Sequence, residues 1–165
     1  MVLTLVLSLI GCLSLFLAIW GLTVTLPTNL LAKNFPVDVQ DCLKPRLENL
    51  SMSFKRVIGW IILIGFCILF IGLFIVGGVD GIKNGYTFLE FFLRFFIIGA
   101  LIKVFDIVCL DYILLTKTQF FQHYFPETKE CIGWKQFGYN RKQQIRQCIA
   151  IPVGCLFGAL IFSFF

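Results

Sequence analysis

Apolar positions in this chain neither alternate nor recur in the narrow stripe of a half-buried helix; they run together in four long blocks divided by polar segments. Met1 to Leu26 carries no charged side chain, and Val57 to Val79 follows Lys55 and Arg56 and closes on Gly-Gly-Val-Asp. Phe88 to Leu115 is apolar apart from Glu90, Arg94, Lys103, Asp106 and Asp111, and Gln147 to Phe165 is the last block. About 20 apolar residues cross the hydrocarbon core of a bilayer as a helix, so each block is long enough. A closed barrel would need alternating strands of about ten residues, which the sequence does not offer. The predicted fold is all-α: one membrane domain over residues 1–165, an integral membrane bundle of four transmembrane helices at about 1–26, 57–79, 88–115 and 147–165.

Composition agrees with the pattern. With 59% hydrophobic and 14% charged residues and a mean hydropathy of +0.92, a water-soluble enzyme, a disordered tail and a collagenous chain are excluded. The first block lacks a basic leader and is too long for a signal core, so it is read as a mature helix. Basic residues orient the bundle. Lys33, Lys44, Arg46, Lys55 and Arg56 follow the first block, and Lys117, Lys129, Lys135, Arg141, Lys142 and Arg146 follow the third, whereas the short second connection holds Lys83 alone. Loops 27–56 and 116–146 are therefore predicted to be cytoplasmic and both termini outside, in a multi-pass protein of the cell membrane.

The net charge of +5 flanks apolar spans instead of forming a separate domain. Anionic membrane lipids are the expected partner, and nucleic acid is not. The seven cysteines lack metal-ligand spacing and are read as unpaired thiols; Cys42 and Cys131, in the cytoplasmic loops, would be held reduced. Asn49-Leu50-Ser51 matches a glycosylation sequon but falls on the cytoplasmic side, where it is silent. Gly154 and Gly158 form G-x-x-x-G two residues after Pro152, a spacing open to a partner helix.

Candidate chemistry concentrates in the third block. A lone charge at mid-membrane costs about 2.5–3.5 kcal/mol on insertion scales, so these groups should be paired and should face protein or water. Lys103 and Asp106 are three apart and able to touch, and Glu90 and Arg94 form an i, i+4 pair. Asp111 lies on another face and must find Arg or Lys elsewhere. Two readings stand side by side: Lys103 and Asp106 fix helix register by neutralising each other, or they line a proton or substrate path.

Phe120, Phe121, Tyr124 and Phe125 suit a segment at headgroup level, ended by Pro126. His123, Glu127 and Cys131 would align on an uninterrupted helix, but Pro126 interrupts them and there is no second histidine, so no metal site and no cofactor are predicted. Arg141, Lys142 and Arg146, at the entry of the last block, both satisfy the topology rule and can grip an anionic group, with Asn140, Gln143 and Gln144 as neutral neighbours.

Leu110-Asp111-Tyr112, Pro126-Glu127-Thr128 and Phe137-Gly138-Tyr139-Asn140 before a last apolar helix resemble a loosely defined group of small bacterial multi-span membrane proteins with L-D-W or L-D-Y followed by P-G-T or P-E-T. The resemblance covers roughly the last third of the chain. It implies a multi-span architecture and points at Asp111 and Glu127, without supplying a reaction. The sequence is expected to encode a transport or ligand-binding component. Its site residues would be Lys103, Asp106, Asp111, Arg141, Lys142 and Arg146. The alternatives are an intramembrane enzyme for a lipid or isoprenoid phosphate, with Asp111 and Glu127 as acid/base candidates, and an accessory subunit without a site.

Overall fold

A computed structural model describes residues 1–25, 32, 35–48 and 54–165, which form helices and turns with no strand among them. The Asn49-Leu50-Ser51 sequon and Lys33 lie outside the described residues. Among the described residues three helices are long and apolar enough to cross a membrane: α1 (Val2–Thr25), α3 (Phe54–Lys83) and α6 (Arg141–Ser163). Between the first two lies the polar α2 (Val37–Glu48). The third predicted block is built differently. It begins as α4 (Phe88–Phe105), whose 18 residues include Glu90, Arg94 and Lys103, and continues from Asp106 to Lys117 as a π-helix. Its wider winding is seen in the bond from Thr118 N–H to the Ile113 carbonyl, five residues back. A short α5 (Phe120–Tyr124) and two 3-10 turns, Pro126–Thr128 and Ile132–Lys135, complete the path to α6.

Local chemistry explains these elements. Along α1 the hydroxyls of Ser8, Thr23 and Thr25 donate to the carbonyls of Thr4, Ile19 and Gly21, four residues back, so these three need no water. α3 stops where Gly85 adopts φ +65°, with Tyr86 N–H bonded to Gly81 O and Gly85 N–H to Ile82 O. This double closure satisfies the last carbonyls of the helix and needs a residue without a β-carbon penalty. Two residues later Glu90 Oε2 accepts from both the N–H and the hydroxyl of Thr87, which starts α4. Pro126 ends α5 at Phe125 as the sequence predicts, because it cannot supply the next helical donor.

The chain divides into two compact units. The first comprises residues 1–15, 66–106 and 142–165, with one core cluster around Leu7, Leu73, Ile98 and Ile102 and another around Phe91, Phe95, Cys155 and Ala159. The second comprises residues 16–65 and 107–141, and its core sets Phe35, Phe121, Phe125 and Trp134 among aliphatic residues such as Val39, Leu43 and Leu115. There Trp134 stacks on Phe121 at 5.6 Å, and Phe35 meets both rings edge-on. The Trp134 indole N–H donates to the carbonyl of the fully buried Thr128 at 3.0 Å, so the ring is buried with its polar atom satisfied. Outside these cores large apolar side chains face outward, among them Leu9, Ile68 and Phe157 at 61, 66 and 65% exposure. A surface of that kind belongs in an apolar solvent and not in water.

Candidate ligand-binding site

The charged residues of α4 are arranged by neighbours that the single-helix spacing rule does not see. Glu90 turns to Thr87, as above, and Arg94 turns to α3. Its guanidinium is buried, donates to Asp80 Oδ2 and the Gly77 carbonyl at 2.7 Å each and to the Tyr86 hydroxyl, and lies 4.3 Å from the Tyr86 ring centre. The expected Glu90–Arg94 pair is thus replaced by an Arg94–Asp80 pair, for a physical reason. Glu90 at the third helical position is needed by the orphan donors of the helix start, and a buried guanidinium gains more from an acid on the adjoining helix.

Lys103 and Asp106 meet as their spacing predicts. The buried Lys103 Nζ donates to Asp106 Oδ2 at 2.7 Å and also to Gln147 Oε1, on α6. One cation, one carboxylate and one amide form a polar group with no net charge. It sits on the wall of a cavity of about 620 Å³ in the first unit. The remaining wall is apolar: Phe70 and Phe74 from α3, Phe95 and Ile102 from α4, and Ile151 and Phe162 from α6. Glycines shape it unequally. A β-carbon on Gly158 would press on the Phe95 ring at 3.3 Å, whereas one on Gly154 would meet nothing within 4 Å, so Gly154 borders open space.

The other candidates are placed as follows. Asp111 is half-buried in the π-helix and accepts from Asn140 Nδ2 at 3.1 Å. Glu127 is exposed on the first 3-10 turn. Arg141, Lys142 and Arg146 are exposed on the first turns of α6, Arg141 in the second unit with Asp111 and Asn140, Lys142 and Arg146 in the first. Cys42 and Cys131, 89 positions apart, bring their sulfurs to 3.0 Å in the second unit. Burial, reinforced by the neighbouring Cys42 thiol, pushes Cys131 up to about 12, so it is a thiol and not a nucleophilic thiolate at neutral pH.

Against family models, curated proteins and solved structures, this chain finds no match.

Sequence reasoning missed two members of these constellations. Gln147 reads as the polar edge of an apolar block, and its only signal is that it is the first residue of that block able to accept from Lys103. Asp80 reads as the start of a loop. It ends Gly-Gly-Val-Asp, and Arg94 also donates to the Gly77 carbonyl three residues earlier.

Proposed function

We propose that the protein is a four-span membrane component, for transport or ligand binding, that holds an amphipathic molecule in the cavity of its first unit. One observation carries this reading: a cavity of about 620 Å³, of the size that takes a drug-sized or lipid-like molecule, is apolar except at Lys103, Asp106 and Gln147. An apolar chain would lie against the phenylalanines and a small polar head would exchange hydrogen bonds with the Lys103 group. Because Asp106 already neutralises Lys103, the head that fits is neutral or zwitterionic. The third span would be α4 continued by the π-helix. Eleven basic residues in the two long connections against one in the short loop support cytoplasmic long loops and outside termini.

Gly154 provides the test, since it lines the cavity and a β-carbon there would meet no atom within 4 Å. Gly154→Leu should leave thermal unfolding in detergent unchanged or slightly raised and should abolish labelling of the purified protein by a photoreactive long-chain alcohol. Undiminished labelling of a well-folded Gly154→Leu protein would remove the cavity from consideration. Lys103→Met/Asp106→Leu should keep the fold and weaken the same labelling, by removing only the polar end.

A further inference from the structure

Cys42 and Cys131 meet because two elements of the second unit are fixed against each other at several other points. On α2, Val39 and Leu43 lie one helical turn apart and are fully buried in the core. Their neighbours Asp38 and Cys42, also one turn apart, reach the segment that follows α5. Asp38 Oδ2 accepts from Gly133 N–H at 2.7 Å, and a β-carbon on Gly133 would collide with the same carboxylate and with Pro36, so the two backbones are closely seated. On the other side, Cys131 N–H donates to the carbonyl of the fully buried Thr128 at 3.1 Å. Packing that involves no sulfur thus sets the two free thiols 3.0 Å apart, about 1 Å beyond the length of a disulfide bond. Cys42 is exposed, whereas Cys131 is half-buried and lines the second unit's smaller cavity, of about 330 Å³, which Lys117, Lys129 and Lys135 also border.

We propose that Cys42 and Cys131 form a reversible disulfide, closed by a small-molecule disulfide such as oxidised glutathione, which locks α2 to the segment between α5 and α6. The exposed Cys42, on losing its proton, attacks one sulfur of the small molecule; the S–S bond of that molecule breaks and one half leaves as a thiol. Cys131 then attacks the Cys42 sulfur, the mixed disulfide breaks, and the second half leaves as a thiol with the Cys131 proton. Two protein thiols give up two electrons and two protons, and one small disulfide becomes two small thiols. Cys131 suits the second step and not the first. Held protonated near neutral pH, it is a poor nucleophile toward a molecule in solution, but contact with Cys42 gives it a high effective concentration against that one sulfur. An excess of small thiol runs the sequence backwards. A bond between positions 89 apart restricts the unfolded chain, so the closed form is the more stable one. The proposal concerns the redox equilibrium of the pair itself and depends on neither the first unit's cavity nor the orientation of the spans.

The test uses the full-length protein in detergent, equilibrated in glutathione buffers of increasing oxidised-to-reduced ratio, quenched with acid, alkylated and digested for mass spectrometry. The peptides holding Cys42 and Cys131 should become joined in a single transition and separate again when the ratio is reversed. The joined protein should unfold at a temperature higher by roughly 5–15 °C than the reduced one. Cys131→Ser should stop at the mixed disulfide, carrying glutathione on Cys42, and should lose the thermal shift; Cys42→Ser should take up glutathione at Cys131 far more slowly than the parent closes its bond. The reduced parent needs no substitution to be informative. If it stays folded and unjoined at the most oxidising ratio, or if Cys42 joins other cysteines as readily as Cys131, the pairing is wrong. A bond that survives an excess of reduced glutathione is permanent and not a switch, and a joined protein that unfolds at the reduced protein's temperature has no lock. Each of these results would overturn the proposal.

Discussion

Each unit has a cavity bordered by lysine, yet the two place charge in opposite ways. In the first, the one cation is answered within its own wall by Asp106 and Gln147. In the second, the exposed Lys117, Lys129 and Lys135 border a space that has no carboxylate among the described residues lining it. The difference teaches how to read a charge in a mostly apolar protein. A charge already met by its neighbours fixes geometry and leaves the cavity neutral, whereas like charges exposed along a rim are met and screened by solvent.

The sharpest way to break this comparison is to unbalance the neutral group. Asp106→Asn strands a buried ammonium and should destabilise the folded protein by about 3–5 kcal/mol in detergent unfolding, while Lys103→Met/Asp106→Leu should be near neutral because both desolvation penalties disappear together. If the double replacement is as damaging as the single one, the group is not a self-contained pair. In the second unit the satisfied polar contact is the one to remove. Trp134→Phe removes the indole donor from Thr128, whose carbonyl keeps the Cys131 N–H and whose hydroxyl keeps its bond to the Phe125 carbonyl, and should cost about 0.5–1.5 kcal/mol in the same measurement. A cost indistinguishable from zero would mean that these remaining bonds satisfy Thr128 without the indole.

The smallest effect at neutral pH concerns Cys131. Its value in the folded protein, about 12, lies above the ordinary thiol range, so the associated stabilisation is whole below about pH 9 and is lost as pH climbs toward 12. Near neutral pH it is visible only in reactivity. Alkylation of Cys131 by iodoacetamide, read by mass spectrometry, should be on the order of a hundredfold slower in the folded protein than after denaturation. Equal rates would show that burial and Cys42 do not hold the thiol protonated.

Much of the fold was legible because apolar runs of the required length leave few choices: α1, α3 and α6 coincide with three of the four predicted blocks to within a few residues at most ends. Lys103 and Asp106 were legible because an i, i+3 pair needs one helix only. Arg94 was not, since its acid comes from another helix and no spacing within α4 encodes it. Nor was the change of winding at Asp106, because one block of apolar residues has no periodicity from which to tell a π-helix from an α-helix. Lys117, Lys129 and Lys135 read as topology signals spread over a turn-rich segment, and only the folded path of α5 and the 3-10 turns gathers them.

The twelve-residue π-helix has a consequence for how this sequence can change length. Each of its bonds reaches one residue further than in an α-helix, so the segment holds more chain per turn than an α-helix does. Losing one residue between Ile107 and Lys117 can be absorbed by winding back to α, whereas losing one from α4 turns every later side chain by about 100° and pulls Lys103 away from Gln147. Single-residue deletions scored by membrane yield should therefore be tolerated in the π-helix and rejected in α4, making Asp106 to Lys117 the place where natural insertions and deletions in this helix would accumulate.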